Sequence, residues 1–190
     1  RVGGVSGRRD GRPRTGQTAA GVAVFGPDEV VRLPLYPQSA TTTTQSSLEL
    51  WSQTCAGSGV SRAVCCYPAA AGWVRTQARL IGEALDQAGD VSVRVLFSAH
   101  GIPEKLVSGK GDPYQEQVET TVAAVVAAVE AERGPIDHAI CYQSRVGPMK
   151  WLGPSTPEAL EQAGRDGHLG RASGRASVSL SMVPRSLQTN

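Results

Sequence analysis

Val95-Leu96-Phe97-Ser98-Ala99-His100-Gly101-Ile102-Pro103, with Gly111-Asp112-Pro113-Tyr114 close behind, is the stretch on which the fold turns. An apolar run ends in a loop of small residues that carries one histidine, and a helix start follows. The pattern predicts a buried strand that delivers its carboxyl end to a loop. In open parallel sheets ligands sit beyond that end. An imidazole there can bind a metal or move a proton near neutral pH.

Three more apolar runs lead into loops and then into helix-like sequence: Val30–Tyr36, Ala63–Tyr67 and Ala139–Tyr142. Pro34 limits the pairing of the first. Strands spaced by helical segments predict an α/β protein with parallel sheets flanked by helices. Val118, Val122, Val125, Val126 and Val129 fall on one helical face, with Asp112 suited to the N-cap and Gly134-Pro135 to the stop. Val74, Ala78, Ile81 and Leu85 form a second stripe that ends near Gly89. A third helix is expected over Gln45–Thr54, and a fourth opens at Thr156-Pro157-Glu158 and closes at Gly164. Residues 1–20 and 168–190 show no such periodicity and are expected to be an irregular arm and an irregular tail.

Composition narrows the function classes. Apolar residues are 40% of the 190, enough for a core, and the net charge of +2 does not argue for nucleic acid. Arginines crowd both ends, at 1, 8, 9, 12 and 14 and again at 165, 171, 175 and 185. Such arms are expected to be solvated. No apolar run is long enough to span a membrane, and the start lacks the apolar segment of a signal peptide. Cys55, Cys65, Cys66 and Cys141 contain no C-x-x-C pair. Cys65 and Cys66, adjacent in an expected strand, are expected to point to opposite faces, and the cysteines read as buried thiols of a reducing compartment. His100, His138 and His168 have no ligand-like spacing.

Three loops carry chemistry. Pro37–Ser47 is rich in hydroxyls that can cap a helix or bind carboxylates and phosphates. The Ser98–Gly101 loop carries His100. Gln143–Pro154 offers Arg145, Lys150, Met149 and Trp151 on a backbone stiffened by Pro and Gly. Together these loops suit a large flat apolar ligand with carboxylate tails, the ring packed by Trp151 and Met149 and the acids held by Arg145 or Lys150. Neither a phosphate-binding Gly-rich loop nor a G-x-S-x-G elbow occurs.

At these words the chain resembles the ferrochelatase family. The matching residues are Leu35-Tyr36-Pro37-Gln38 with Thr42-Thr43-Thr44 and Ser46-Ser47, Phe97–Pro103, Gly111–Tyr114, Tyr142–Pro148 and Trp151–Thr156. Cys66-Tyr67-Pro68 with Gly72-Trp73-Val74 also resembles bacterial members. The resemblance covers about residues 25–167, and its words stand in the family's order.

The resemblance implies a lyase-type metal chelatase of haem biosynthesis, inserting Fe²⁺ into protoporphyrin IX or a related porphyrin. The alternative is a fragment that binds porphyrin or haem without catalysis. It implies a two-lobed chelatase-like architecture, here incomplete, with residues 21–62 finishing the first lobe and 63–167 forming the second. His100 matches the family's active-site histidine, expected to bind the incoming metal or take a pyrrole proton. Tyr114, Gln143, Ser144, Met149 and Trp151 match or flank porphyrin-pocket positions. Ferrous iron and porphyrin are then substrates, with no permanently bound cofactor and no nucleic-acid partner. The expected location is cytoplasmic, with contact at a membrane periphery. Ser39 replaces the family's aromatic residue and Gln45 its glycine. Nothing after Gly167 matches the family's later segment that pairs an acid with the histidine, so the chain reads as truncated or altered at both ends.

Overall fold

The structure, a computed structural model, describes residues 2–8, 11–55, 60–89 and 92–167, and the backbone of 177–181. The chain divides into two compact units, Arg1–Tyr67 and Pro68–Asn190. The first unit holds α1 (Thr15–Phe25), β1 (Glu29–Arg32), a π-helical turn (Thr41–Gln45), α2 (Ser46–Thr54) and β2 (Val60–Ala63). β1 and β2 pair in parallel from Glu29 opposite Val60 to Arg32 opposite Ala63.

Several expectations for this unit need correction. α1 begins inside the arm expected to be irregular. Its buried residues are Thr18, Ala19 and Val22, a contact patch too short to register as a period. This compact unit runs to Tyr67, and within it the second strand pairs with the first. That strand ends at Ala63, and all four of its residues are exposed; its ladder, not an apolar face, holds it. Cys65 and Cys66 therefore lie in the loop beyond it rather than on opposite faces of a strand, with their Sγ atoms 2.7 Å apart.

The second unit holds α3 (Ala71–Ala88), β3 (Arg94–His100), α4 (Glu104–Lys110), α5 (Tyr114–Arg133), β4 (His138–Gln143), α6 (Thr156–Arg165) and β5 (Ser177–Ser181). The sheet is parallel in the order β4-β3-β5. β5 corrects the expectation of a wholly irregular tail; the rest of 168–190, including His168, lies outside the described residues. β3 is central, which explains its apolar run Val95–Phe97: strands covered on both faces read as continuous hydrophobic runs. Val95, Leu96, Phe97, Ser98 and Ala99 are all buried.

Helices close over this strand. Leu96 and Cys141 meet Ala159 of α6, and the buried Ser98 hydroxyl is satisfied 3.1 Å from Thr156 Oγ1. The α5 valines at 118, 122, 125, 126 and 129 are buried as their spacing predicts. Asp112 sits one residue further out than an N-cap: Pro113 is the cap, and Tyr114 N–H donates to Asp112 Oδ1 at 3.0 Å. α3 packs along α5, with Gly82 against the Arg133 guanidinium, where a Cβ would come within 3.0 Å. Arg133 in turn pairs with Asp86 and holds that carboxyl below its usual range. At the amino end of β3, Arg94 bridges Asp137 (2.9 Å) and Asp166 (2.6 Å), tying β4 and α6 to the central strand. No helix among the described residues is long and apolar enough to cross a membrane.

α6 starts at a reciprocal cap: Glu158 N–H donates to Ser155 Oγ at 3.4 Å and Ser155 N–H to Glu158 Oε2 at 2.6 Å. These bonds lower the Glu158 pKa. Ser155→Ala should cost roughly 0.5–2 kcal/mol in urea unfolding. Because the folded carboxyl titrates lower than the unfolded one, the contribution of the cap is full above its ordinary value of 4.5 and fades as pH falls through the lower folded value. The gap between wild type and variant should therefore narrow in acid.

Candidate functional site

Exposure changes abruptly at the carboxyl end of β3. Ala99 is fully buried, and the next residue, His100, is exposed. The imidazole is thus carried by the most enclosed strand of the sheet yet opens to solvent. Its Nδ1 lies 2.9 Å from the Gly101 carbonyl oxygen. A carbonyl can only accept, so this contact places the proton on Nδ1 and leaves the Nε2 lone pair for a proton or a metal.

Gly101 explains why a glycine follows. Its N–H donates to the Gln143 carbonyl at 2.8 Å. A Cβ at Gly101 would stand 2.9 Å from that same oxygen and 3.4 Å from Trp151 Cε3. The backbone therefore passes between the end of β4 and an indole with no space for a side chain. Beyond it, Leu152 N–H donates to Ile102 O and Glu104 N–H to Lys150 O, each at 3.0 Å, and Pro103 pairs antiparallel with Trp151. Tyr142 N–H donates to Pro154 O at 2.9 Å. These bonds lace residues 150–155 against the histidine loop, so Trp151 is a fixed neighbour of that loop.

The other expected site residues take different stations. Tyr114 is buried beneath the strand end, its phenol hydrogen-bonded with the His100 backbone. Burial pushes that phenol well above its ordinary value, outweighing the hydrogen bond. The Tyr142 phenol is pushed up to about 12, chiefly by burial, with the Glu119 charge adding. Both phenols stay protonated at neutral pH. Gln143 is half-buried and contributes its backbone carbonyl, while Ser144 is exposed at a left-handed φ of 64° that turns the chain out of β4. Met149 is exposed. Trp151 Nε1 is buried without a hydrogen-bond partner.

The expected carboxylate holders are already engaged. Arg145 Nη2 donates to Leu152 O at 3.2 Å and lies 3.5 Å from Glu158, and Lys150 pairs with Glu104 at 2.9 Å. These ion pairs are largely exposed and could exchange partners at little cost. Among the described residues no three His, Cys, Asp or Glu side chains converge to hold a metal. His138, at the start of β4, is exposed, and its ring stands edge-on to Phe97 at 6.2 Å. Sequence reasoning did not find the structural roles of Ile102 and Leu152, which are buried but act through backbone bonds that no side-chain pattern encodes. In the first unit a cleft of about 600 Å³ borders the hydroxyl-rich loop, lined among others by Arg32, Ser39, Thr44 and Glu49; His100 does not line it.

Gly101→Ala should force the Gln143 carbonyl or the indole to move and destabilise the unit by roughly 1–3 kcal/mol, the usual cost of overpacking. Chemical denaturation of the two proteins checks this; equal midpoints and slopes would refute the close approach.

Comparison with known proteins bears on the same residues. The family model described as Ferrochelatase matches residues 5–170. Over 153 residues the chain is 53% identical to the ferrochelatase of Caulobacter vibrioides (strain NA1000 / CB15N), covering 80% of this chain and 43% of that protein. It is 51% identical over 157 residues to the ferrochelatase of Phenylobacterium zucineum (strain HLK1), covering 82% and 45% respectively. For the ferrochelatase of Hyphomonas neptunium (strain ATCC 15444) the identity is 46% over 156 residues, covering 82% and 42%. The chain thus spans less than half the length of each of these relatives.

Proposed function

The chain belongs to the ferrochelatase family, and on that premise we propose that it serves the insertion of Fe²⁺ into protoporphyrin IX or a related porphyrin, with His100 as the acid–base group. The observation that carries this reading is the exposed imidazole at the end of a buried parallel strand, its Nδ1 held by the Gly101 carbonyl.

Insertion replaces two pyrrole N–H protons by one divalent metal ion. The Nε2 lone pair of His100 accepts a pyrrole proton and passes it to water before the next transfer. Solvent access at His100 suits that relay, because a base walled off from water could not discharge. The same lone pair could instead receive Fe²⁺, but a single imidazole gives a metal only one protein ligand, and the ion would keep most of its water. Proton acceptance is therefore the role the arrangement favours.

Trp151 and Met149 supply the apolar surface on which a macrocycle would pack, and the Gln143-Ser144 turn forms its rim. Tyr114 acts as a positioning residue: it reaches the substrate only through the backbone of His100. All four cysteines are thiols rather than disulfides, which suits a reducing, cytoplasmic setting.

Incubating the chain with Fe²⁺ or Zn²⁺ and protoporphyrin should produce the Soret shift of a metalloporphyrin. His100→Ala should lower its rate by roughly 10²–10⁴, the usual contribution of one acid–base group. A wild-type rate no higher than that of protein-free buffer would refute catalysis by this chain, and equal rates in wild type and His100→Ala would refute the role of His100. Quenching of Trp151 emission by porphyrin without turnover would support the binding reading alone.

A further inference from the structure

Among the described residues, four buried side-chain polar atoms have no hydrogen-bond partner, and two of them, Arg32 Nε and Thr44 Oγ1, line the same cleft. Buried polar groups are normally satisfied, so two orphans on residues that line one cleft call for a partner that comes and goes. Thr44 is 1% exposed. It sits on the π-helical turn that precedes α2.

The state of the Arg32 fork identifies the ligand. Nη1 lies 3.4 Å from the Leu48 carbonyl and 3.3 Å from Ser52 Oγ, so one side of the guanidinium is fastened to α2. That leaves the Nε edge, which presents parallel N–H donors in the geometry that a carboxylate accepts side-on. The Thr44 hydroxyl offers a further donor. Glu49, on the rim, already accepts from the Gln45 amide at 3.0 Å and keeps a negative charge in the cleft. A dianion meets that charge with twice the repulsion of a monoanion. Leu48 supplies an apolar wall for a short carbon chain.

We propose that this cleft in the first unit is a carboxylate-binding site, in which Arg32 Nε and Thr44 Oγ1 donate to one carboxylate group. The carboxylate belongs either to a free short-chain acid or to an acidic arm of a larger ligand such as a porphyrin. The site does not depend on the metal-insertion reading, because it involves neither His100 nor turnover.

The test is a titration of the full-length, ¹⁵N-labelled chain followed at the arginine Nε–H resonances, with the Arg32 signal assigned by its loss in Arg32→Lys. Sodium propionate should shift that signal saturably. Thr44→Val should weaken binding roughly 2–10-fold, and Arg32→Lys by roughly tenfold or more, as expected for a neutral and a charged hydrogen bond respectively. Inorganic phosphate at pH 8 should bind more weakly than propionate. A shift with porphyrin diacid that its dimethyl ester fails to cause would assign the carboxylate to the macrocycle; a shift with propionate alone would assign it to a free acid. A folded wild-type spectrum in which the Arg32 signal is unmoved by either acid would overturn the proposal, as would equal affinity in wild type and Thr44→Val.

Discussion

Gly101 donates its N–H to the Gln143 carbonyl at 2.8 Å and offers its own carbonyl to the His100 imidazole at 2.9 Å. The two polar groups of one residue thus do separate jobs. The first extends the β3–β4 ladder one step past the last strand pair, His100 with Gln143. The second selects the tautomer and orientation of the ring. Both need the backbone to run closer to β4 and the Trp151 indole than a Cβ allows. Remove that closeness and the histidine becomes a side chain on a loose loop, with neither its ring nitrogen nor its neighbours fixed.

The remainder of the second unit holds the backbone in that close approach. The central strand is buried from Val95 to Ala99, held laterally by parallel ladders and anchored at its amino end by Arg94. Burial of each large apolar side chain contributes roughly 1.5–3 kcal/mol. A reactive group mounted on such an element is positioned better than one on a free loop. Tyr114 adds a local constraint: α5 places its neutral phenol under the backbone that carries the ring. The candidate site is the exposed tip of the most enclosed strand in its unit.

What was legible in the sequence follows from which forces write themselves into side chains. The apolar run Val95–Phe97 and the valine stripe from 118 to 129 are burial patterns, and both elements formed where they were read. Elements held by backbone bonds left no such trace. β2 is exposed throughout and follows β1 only through its ladder. α4 has no fully buried residue, and α1 buries a patch too short to show a period. The apolar run at Ala63–Tyr67 misled for the same reason: its register is set by Val64 N–H on Arg32 O and Tyr67 N–H on Pro37 O, irregular bonds that alternation cannot anticipate. His100 was legible because a titratable ring placed directly after a buried run marks the point where the strand leaves the core and meets water. The role of Gly101 was not, since a missing side chain reveals its purpose only when the neighbouring atoms are in place.

Two threonines show how hydrogen-bond satisfaction separates structure from binding. Thr121 and Thr44 are each 1% exposed. The Thr121 hydroxyl lies 2.8 Å from the Pro68 carbonyl and 3.0 Å from that of Gln117, so its burial is satisfied within the fold. Thr44 sits on a widened helical turn whose neighbouring serine, Ser46, directs its hydroxyl to the backbone at Thr42 and Thr43. Thr44 finds no such carbonyl and stands with the open edge of Arg32 in one cleft. Leaving a buried donor unsatisfied costs roughly 1–3 kcal/mol. Burial therefore cannot explain why a hydroxyl persists at Thr44, since an isosteric valine would fill the volume without that penalty. A partner that accepts both donors would remove the penalty, and the two oxygens of a carboxylate match the edge that Arg32 leaves unpartnered.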